Sequence, residues 1–176
     1  MKKLLISIIV SLLSYLNVEA QVFHIPIENL LKDSYELIEG EVINVAPKWD
    51  EQHQFIYSFV DIKINMAHKG KVKAEIITLR EFGGEIDNFA TSAPLSPVYN
   101  IGDFVFVCIE VDNRTGLFST KGFWQGKFEL RAEKSGKRIL FRNNADKEII
   151  HINKEKTVES EITYENLLSI MKNLEQ

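Results

Sequence analysis

The chain has one cysteine in 176 residues, Cys108, so no disulfide can close within it and its stability must rest on an apolar core. With only four prolines and nine glycines it has neither a collagen-like repeat nor a low-complexity linker. Positive charge is also short, with 21 Lys and Arg against 25 Asp and Glu for a net of −4. A mildly acidic chain gains little from releasing counterions, which excludes nucleic acid as the expected partner. The four histidines, His24, His53, His68 and His151, form no HExxH or HxH pair, and no second thiol is present, so no metal or other cofactor is expected. There is no GxSxG elbow and no glycine loop of the phosphate-binding type. The expectation is a protein that is not an enzyme.

Long apolar runs are missing too, apart from one at the start. Lys2 and Lys3 precede an apolar stretch from Leu4 to Leu16, and Val18-Glu19-Ala20 offers compact residues before Gln21. That is the layout of a secretory signal peptide cleaved after Ala20. The stretch falls short of the roughly 20 residues that span a bilayer, so no membrane span is expected. Residues 21–176 then form a single domain, periplasmic or secreted, with a charge of −5 once Lys2, Lys3 and Glu19 are gone.

What remains reads as mostly β. Ile27, Leu30 and Leu31 recur at helical spacing and predict a short opening helix. Tyr35 to Val45 reads as a strand with Gly40 at a bulge or bend. Ile56, Ser58, Val60, Ile62, Ile64 and Met66 alternate with Tyr57, Phe59, Asp61, Lys63 and Asn65, which predicts a strand with one buried and one wet face. Ala74 to Phe82 follows as a third strand. After an irregular stretch from Glu85 to Gly102, Phe104 to Val111 is apolar enough to be central, and Leu117 to Thr120 answers it. Phe128 to Ala132 and Arg138 to Arg142 suggest a further hairpin, and Ile149 to Ile152 a last short strand. Thr163 is placed to cap a helix from Tyr164 to about Leu174, with Ile162 and Leu167 as its hydrophobic staple. Its apolar face must rest on the barrel or on a partner. The expected fold is mainly β, a small OB-like Greek-key barrel with short N-terminal and C-terminal helices.

In such barrels the second and third strands and the loop joining the first two bind ligands. That placement makes Trp49, His53, Tyr57 and Arg80 candidate ligand or partner contacts, with residues 83–99, including Tyr99, closing one side. Trp124, in Gly122-Phe123-Trp124-Gln125-Gly126, is a further candidate. An aromatic in a polar loop either caps the barrel mouth or supplies contact surface, and the sequence leaves both readings open for Trp49 and Trp124. The rival reading is a small envelope hydrolase using loop carboxylates, of which Glu81, Glu85 and Asp87 cluster around Gly83-Gly84.

The motifs Ser34-Tyr35-Glu36-Leu37-Ile38-Glu39-Gly40-Glu41-Val42, Trp49-Asp50, Lys69-Gly70, Phe82-Gly83-Gly84-Glu85, Ile101-Gly102-Asp103-Phe104 and Gln125-Gly126-Lys127-Phe128 occur in a fixed order. Over about Ser34 to Leu130 the chain resembles exported bacterial OB-like barrel proteins of unassigned activity. More remotely it is similar to the N-terminal domain of the tissue inhibitors of metalloproteinases. Those inhibitors chelate zinc through an N-terminal cysteine. Here Gln21 stands at the expected mature terminus, so the likeness implies a fold and a protein or peptide partner, and the chelation does not carry over.

Overall fold

The computed structural model describes residues 22–134, 136–142, 149–150 and 161–174. The expected cleavage segment and His151 lie outside them. The elements in chain order are β1 (Val22–Phe23), α1 (Ile27–Asp33), β2 (Glu36–Trp49), β3 (Ile56–Lys69), β4 (Ile76–Phe82), β5 (Gly84–Ile86), β6 (Phe89–Thr91), β7 (Phe104–Val111), β8 (Phe118–Thr120), β9 (Lys127–Ala132), β10 (Arg138–Phe141), β11 (Ile149–Ile150), β12 (Glu161–Thr163) and α2 (Tyr164–Leu174).

Antiparallel pairing runs β7–β2–β3–β4, β4 meets β8 in parallel, and β8 returns antiparallel to β7. The five strands therefore close into an OB-like barrel. β7 also pairs with β9, and β9, β10 and β12 extend the sheet past the barrel. No described helix is long and apolar enough to cross a membrane.

The apolar run in β7 is explained by burial on both faces. Val105, Val107 and Ile109 point into the barrel with Ile38, Val42, Val60, Ile62, Ile77 and Leu79. Phe106 and Cys108 point the other way, into a second core with Leu30, Leu31, Leu37, Phe128, Leu140 and Leu167. That outer core lies beneath both helices. Leu167 of α2 is fully buried, so the C-terminal helix rests on its own barrel. Its cap is the expected one, with the Asn166 N–H donating to Thr163 Oγ1 at 3.2 Å.

Two glycines mark where backbones come close. At Gly40, beside a register shift in the β2–β3 ladder, a Cβ would stand 2.4 Å from the Lys63 carbonyl oxygen. Gly70 turns the chain at φ +107°, and a Cβ there would strike the Glu36 carboxylate. Glu36, 1% exposed, accepts backbone N–H bonds from Lys71 (2.8 Å) and Val72 (3.2 Å) and so fastens the turn.

The structure also revises the sequence reading. β2 runs on to Trp49, past the expected end at Val45, because β3 supplies pairing partners as far as Ile56. Trp49 thus stands at a strand end and not in a loop. The alternation in β3 fails after Ile64: Met66 is 49% exposed, since the register shifts near Glu39 and Gly40 turn this end of the strand away from the core. The irregular stretch after Glu85 holds a small hairpin, β5–β6.

Candidate functional site

Opposed residues of an antiparallel ladder share a face. Phe59 faces Arg80 and Tyr57 faces Lys48 on the outside of the barrel, whereas Ser58 faces Glu81 on the inside. The outer set is aromatic and cationic. The Arg80 guanidinium lies 4.8 Å from the centre of the Tyr57 ring, and Lys48 Nζ lies 4.8 Å from that of Phe59. Tyr57 meets Phe82 edge-on at 5.3 Å, and Phe82 meets Phe55 at 5.6 Å. At the neighbouring strand end Trp49 contacts His53 (5.8 Å) and Phe89 (5.6 Å). Phe55, Phe82 and Phe89 remain 45, 39 and 62% exposed, so this end of the barrel shows water two aromatic groups: Phe55, Tyr57 and Phe82 on the outer face, and Phe89 against Trp49, which pairs with the inward-facing Ile56.

The inside of the ladder carries a buried acid. Only one residue pair, Leu79 with Phe118, joins β4 to β8. Two residues on, the Glu81 side chain reaches Thr120: its Oε1 accepts the Thr120 N–H (2.8 Å) and hydroxyl (2.7 Å), and Tyr99 donates its phenol to that hydroxyl oxygen (2.6 Å). Burial drives the Glu81 carboxyl above the usual carboxylate range, outweighing the Thr120 bonds, and the charge of Glu110 pushes the same way. Glu81 lines two cavities. One, of about 220 Å³, lies in the barrel mouth against Val45, Ser58, Val60 and Tyr99. The other, of about 350 Å³, is an outer groove bordered by Tyr57, Arg80, Phe82, Glu110, Asp112 and Phe123. Across that groove Arg80 Nη2 is 3.9 Å from Asp112 Oδ2. The Arg114 N–H, donating to Asp112 Oδ1 at 2.8 Å, heads the contacts that hold the Asp112 carboxyl below its ordinary range.

Of the six residues singled out in the sequence, Trp49 and His53 meet each other, and Tyr57 and Arg80 meet each other, on one end of the barrel. Tyr99 is 7% exposed; it borders the mouth cavity, and its phenol is engaged by Thr120. Trp124 does not join them. It is 2% exposed in a single 3-10 turn, Phe123–Gly126, because the left-handed Gly122 before it rotates the indole inward and Phe123 outward. As a contact residue Trp124 is replaced by Phe123, 54% exposed. Phe55, Phe82 and Phe89 escaped the sequence reading, and Glu81, grouped there with the loop acids, is instead buried. Glu81 had a legible signal, since Ile77, Leu79 and Glu81 share the core-facing phase of β4.

Glu85 and Asp87, the loop acids of the hydrolase reading, are exposed on the β5–β6 hairpin. The Cys108 thiol is fully buried and pushed up to about 12 by that burial, which leaves it without thiolate character. No cluster of metal-ligating side chains exists among the described residues. Comparisons with protein-family models, curated proteins and solved structures find no match to this chain.

Proposed function

We propose that this protein is a non-catalytic binding module that works outside the cytoplasm and engages a protein or peptide partner through the aromatic end of its barrel. The observation that carries this reading is the exposed outer cluster of Phe55 and Phe82 beside Tyr57 and Arg80. Aromatic residues and arginine are the types enriched where proteins meet, and the centre of an interface draws its affinity from a few such side chains. The water-facing rings of Phe55, just before β3, and Phe82, at the end of β4, add little to the fold, which makes a contact role their simplest use. The export layout of the first 20 residues and the likeness to secreted barrel proteins point to the same setting.

The test is a paired change, Phe55→Ser with Phe82→Ser, on the full mature chain. Affinity capture from an envelope or culture extract should lose its specific partner band, while the thermal midpoint falls by no more than a few degrees. Unchanged capture would overturn the reading.

A further inference from the structure

Glu81 is 6% exposed, yet among the described residues no cation pairs with it. The nearby positive groups are committed elsewhere: Arg80 to Asp112 at 3.9 Å, and Lys121 to Glu110 at 3.8 Å. A carboxylate held out of water without a counter-ion is costly, and the cost is relieved either by a proton or by an incoming positive group. The outer groove at Glu81 could admit such a group, since Tyr57, Phe82 and Phe123 supply an aromatic border and the charges of Arg80 and Lys121 are offset by Asp112 and Glu110. The chain already shows this chemistry at the groove's border, where the Arg80 guanidinium lies 4.8 Å from the centre of the Tyr57 ring.

We propose that the groove between β4 and β8 is a recognition site for an organic cation on an apolar stem, an ammonium or guanidinium that places its charge at Glu81 and its stem against the aromatic border. The proposal rests on the binding-module reading and names the chemistry that such a partner presents. A volume of about 350 Å³ accommodates one long basic side chain together with adjoining backbone. Ligand and proton compete for the same carboxylate, so binding weakens as pH falls through the raised Glu81 value. Thr120 bonds Glu81 directly, and the other titratable or charged groups lining its two cavities are Tyr57, Arg80, Tyr99, Glu110 and Asp112, with Lys121 behind Glu110.

The experiment is a titration of the mature protein with three blocked tripeptides, Val-Arg-Val, Val-Lys-Val and Val-citrulline-Val, and with free cadaverine, followed by amide chemical shifts. The arginine and lysine peptides should move the signals of Phe82, Leu117 and Thr120 saturably and bind at least tenfold more tightly than the neutral citrulline peptide. A comparable affinity for cadaverine would assign the source to small amines, and a preference for the peptides would assign it to a basic chain segment. Glu81→Gln, which keeps an acceptor for Thr120, should weaken the cationic probes about tenfold and remove the pH dependence. Should that variant not fold, the pH dependence of the native protein decides. Equal binding of citrulline and arginine peptides, or binding that does not weaken on acidification, would overturn the cation site. If the cationic probes fail while the paired phenylalanine variant still loses its partner, only this inference falls and the binding-module reading stands.

Discussion

Glu39 and Glu81 are equally hidden, each 6% exposed, and the barrel treats them in opposite ways. Glu39 lies on the helix-covered side. Its Oε1 is 2.6 Å from His68 Nε2 and accepts the Tyr164 hydroxyl, and Arg138 Nη1 approaches Oε2 at 3.5 Å. Burial pushes its carboxyl up, but the hydrogen bonds from His68 and Tyr164, with electrostatic attraction to His68 and Arg138, outweigh it and leave the group below its ordinary value. Among the described residues Glu81 receives the hydrogen bonds of Thr120 and pairs with no cation, so burial prevails and its value rises. A fully supported carboxylate ties elements together, here β2, β3, β10 and α2. An acid without a counter-ion, bordering a groove, marks a place for chemistry from outside.

The comparison breaks most visibly where the tie is cut. Glu39→Ala removes the acceptor shared by His68, Tyr164 and Arg138 and should cost about 3 kcal/mol in urea unfolding, in the range for a broken buried pair. Leu167→Ala, which opens a cavity under the same helix, should cost a similar amount, about 2 to 4 kcal/mol. If either change instead left stability intact, α2 would be an appendage and not part of the core.

Acid titration sharpens the contrast by sign. Glu39, with its folded value depressed, lends stability that is complete above the ordinary carboxylate value of 4.5 and is lost as pH falls through its lower folded value. Glu81, with its folded value raised, takes up a proton more readily when folded. Folding therefore gains stability as pH falls through that raised value toward 4.5, and loses it again on the way back up. Glu39→Gln should flatten the acid limb of a stability–pH curve, and Glu81→Gln should flatten the limb above it.

At neutral pH Glu81→Gln should change stability by less than about 1 kcal/mol, or raise it, because the amide oxygen keeps the Thr120 bonds while the buried charge disappears. The smallest effect belongs to Phe89→Ala. At 62% exposure its loss should shift stability by less than about 0.5 kcal/mol, so a larger fall in partner binding would come from contact alone.

Much of this was readable along the chain. The two-residue rhythm of Ile56 to Ile64 appears as the buried and wet faces of β3, and the almost unbroken apolar run of Phe104 to Val111 as a strand covered on both sides from Val105 to Ile109. Thr163, Ile162 and Leu167 marked where the last helix starts and how it is held. Whether Trp124 caps the core or faces outward stayed open in the sequence, because the phase of its side chain hangs on a left-handed glycine turn, Gly122, which carries no periodic signature. The rings of Phe55 and Phe82 come from separate segments, as do those of Trp49 and Phe89, and no spacing within one segment reveals that they meet.

Local pattern, by itself, determined which segments extend, which coil, and which side of each faces apolar matter, since burial of alternate side chains is a property of neighbours in sequence. Only the closed sheet decided which acids are compensated. Whether a buried carboxylate meets a histidine and an arginine, as Glu39 does, or a hydroxyl and a groove, as Glu81 does, depends on groups 29 to 125 residues away that pairing of distant strands brings within hydrogen-bond reach.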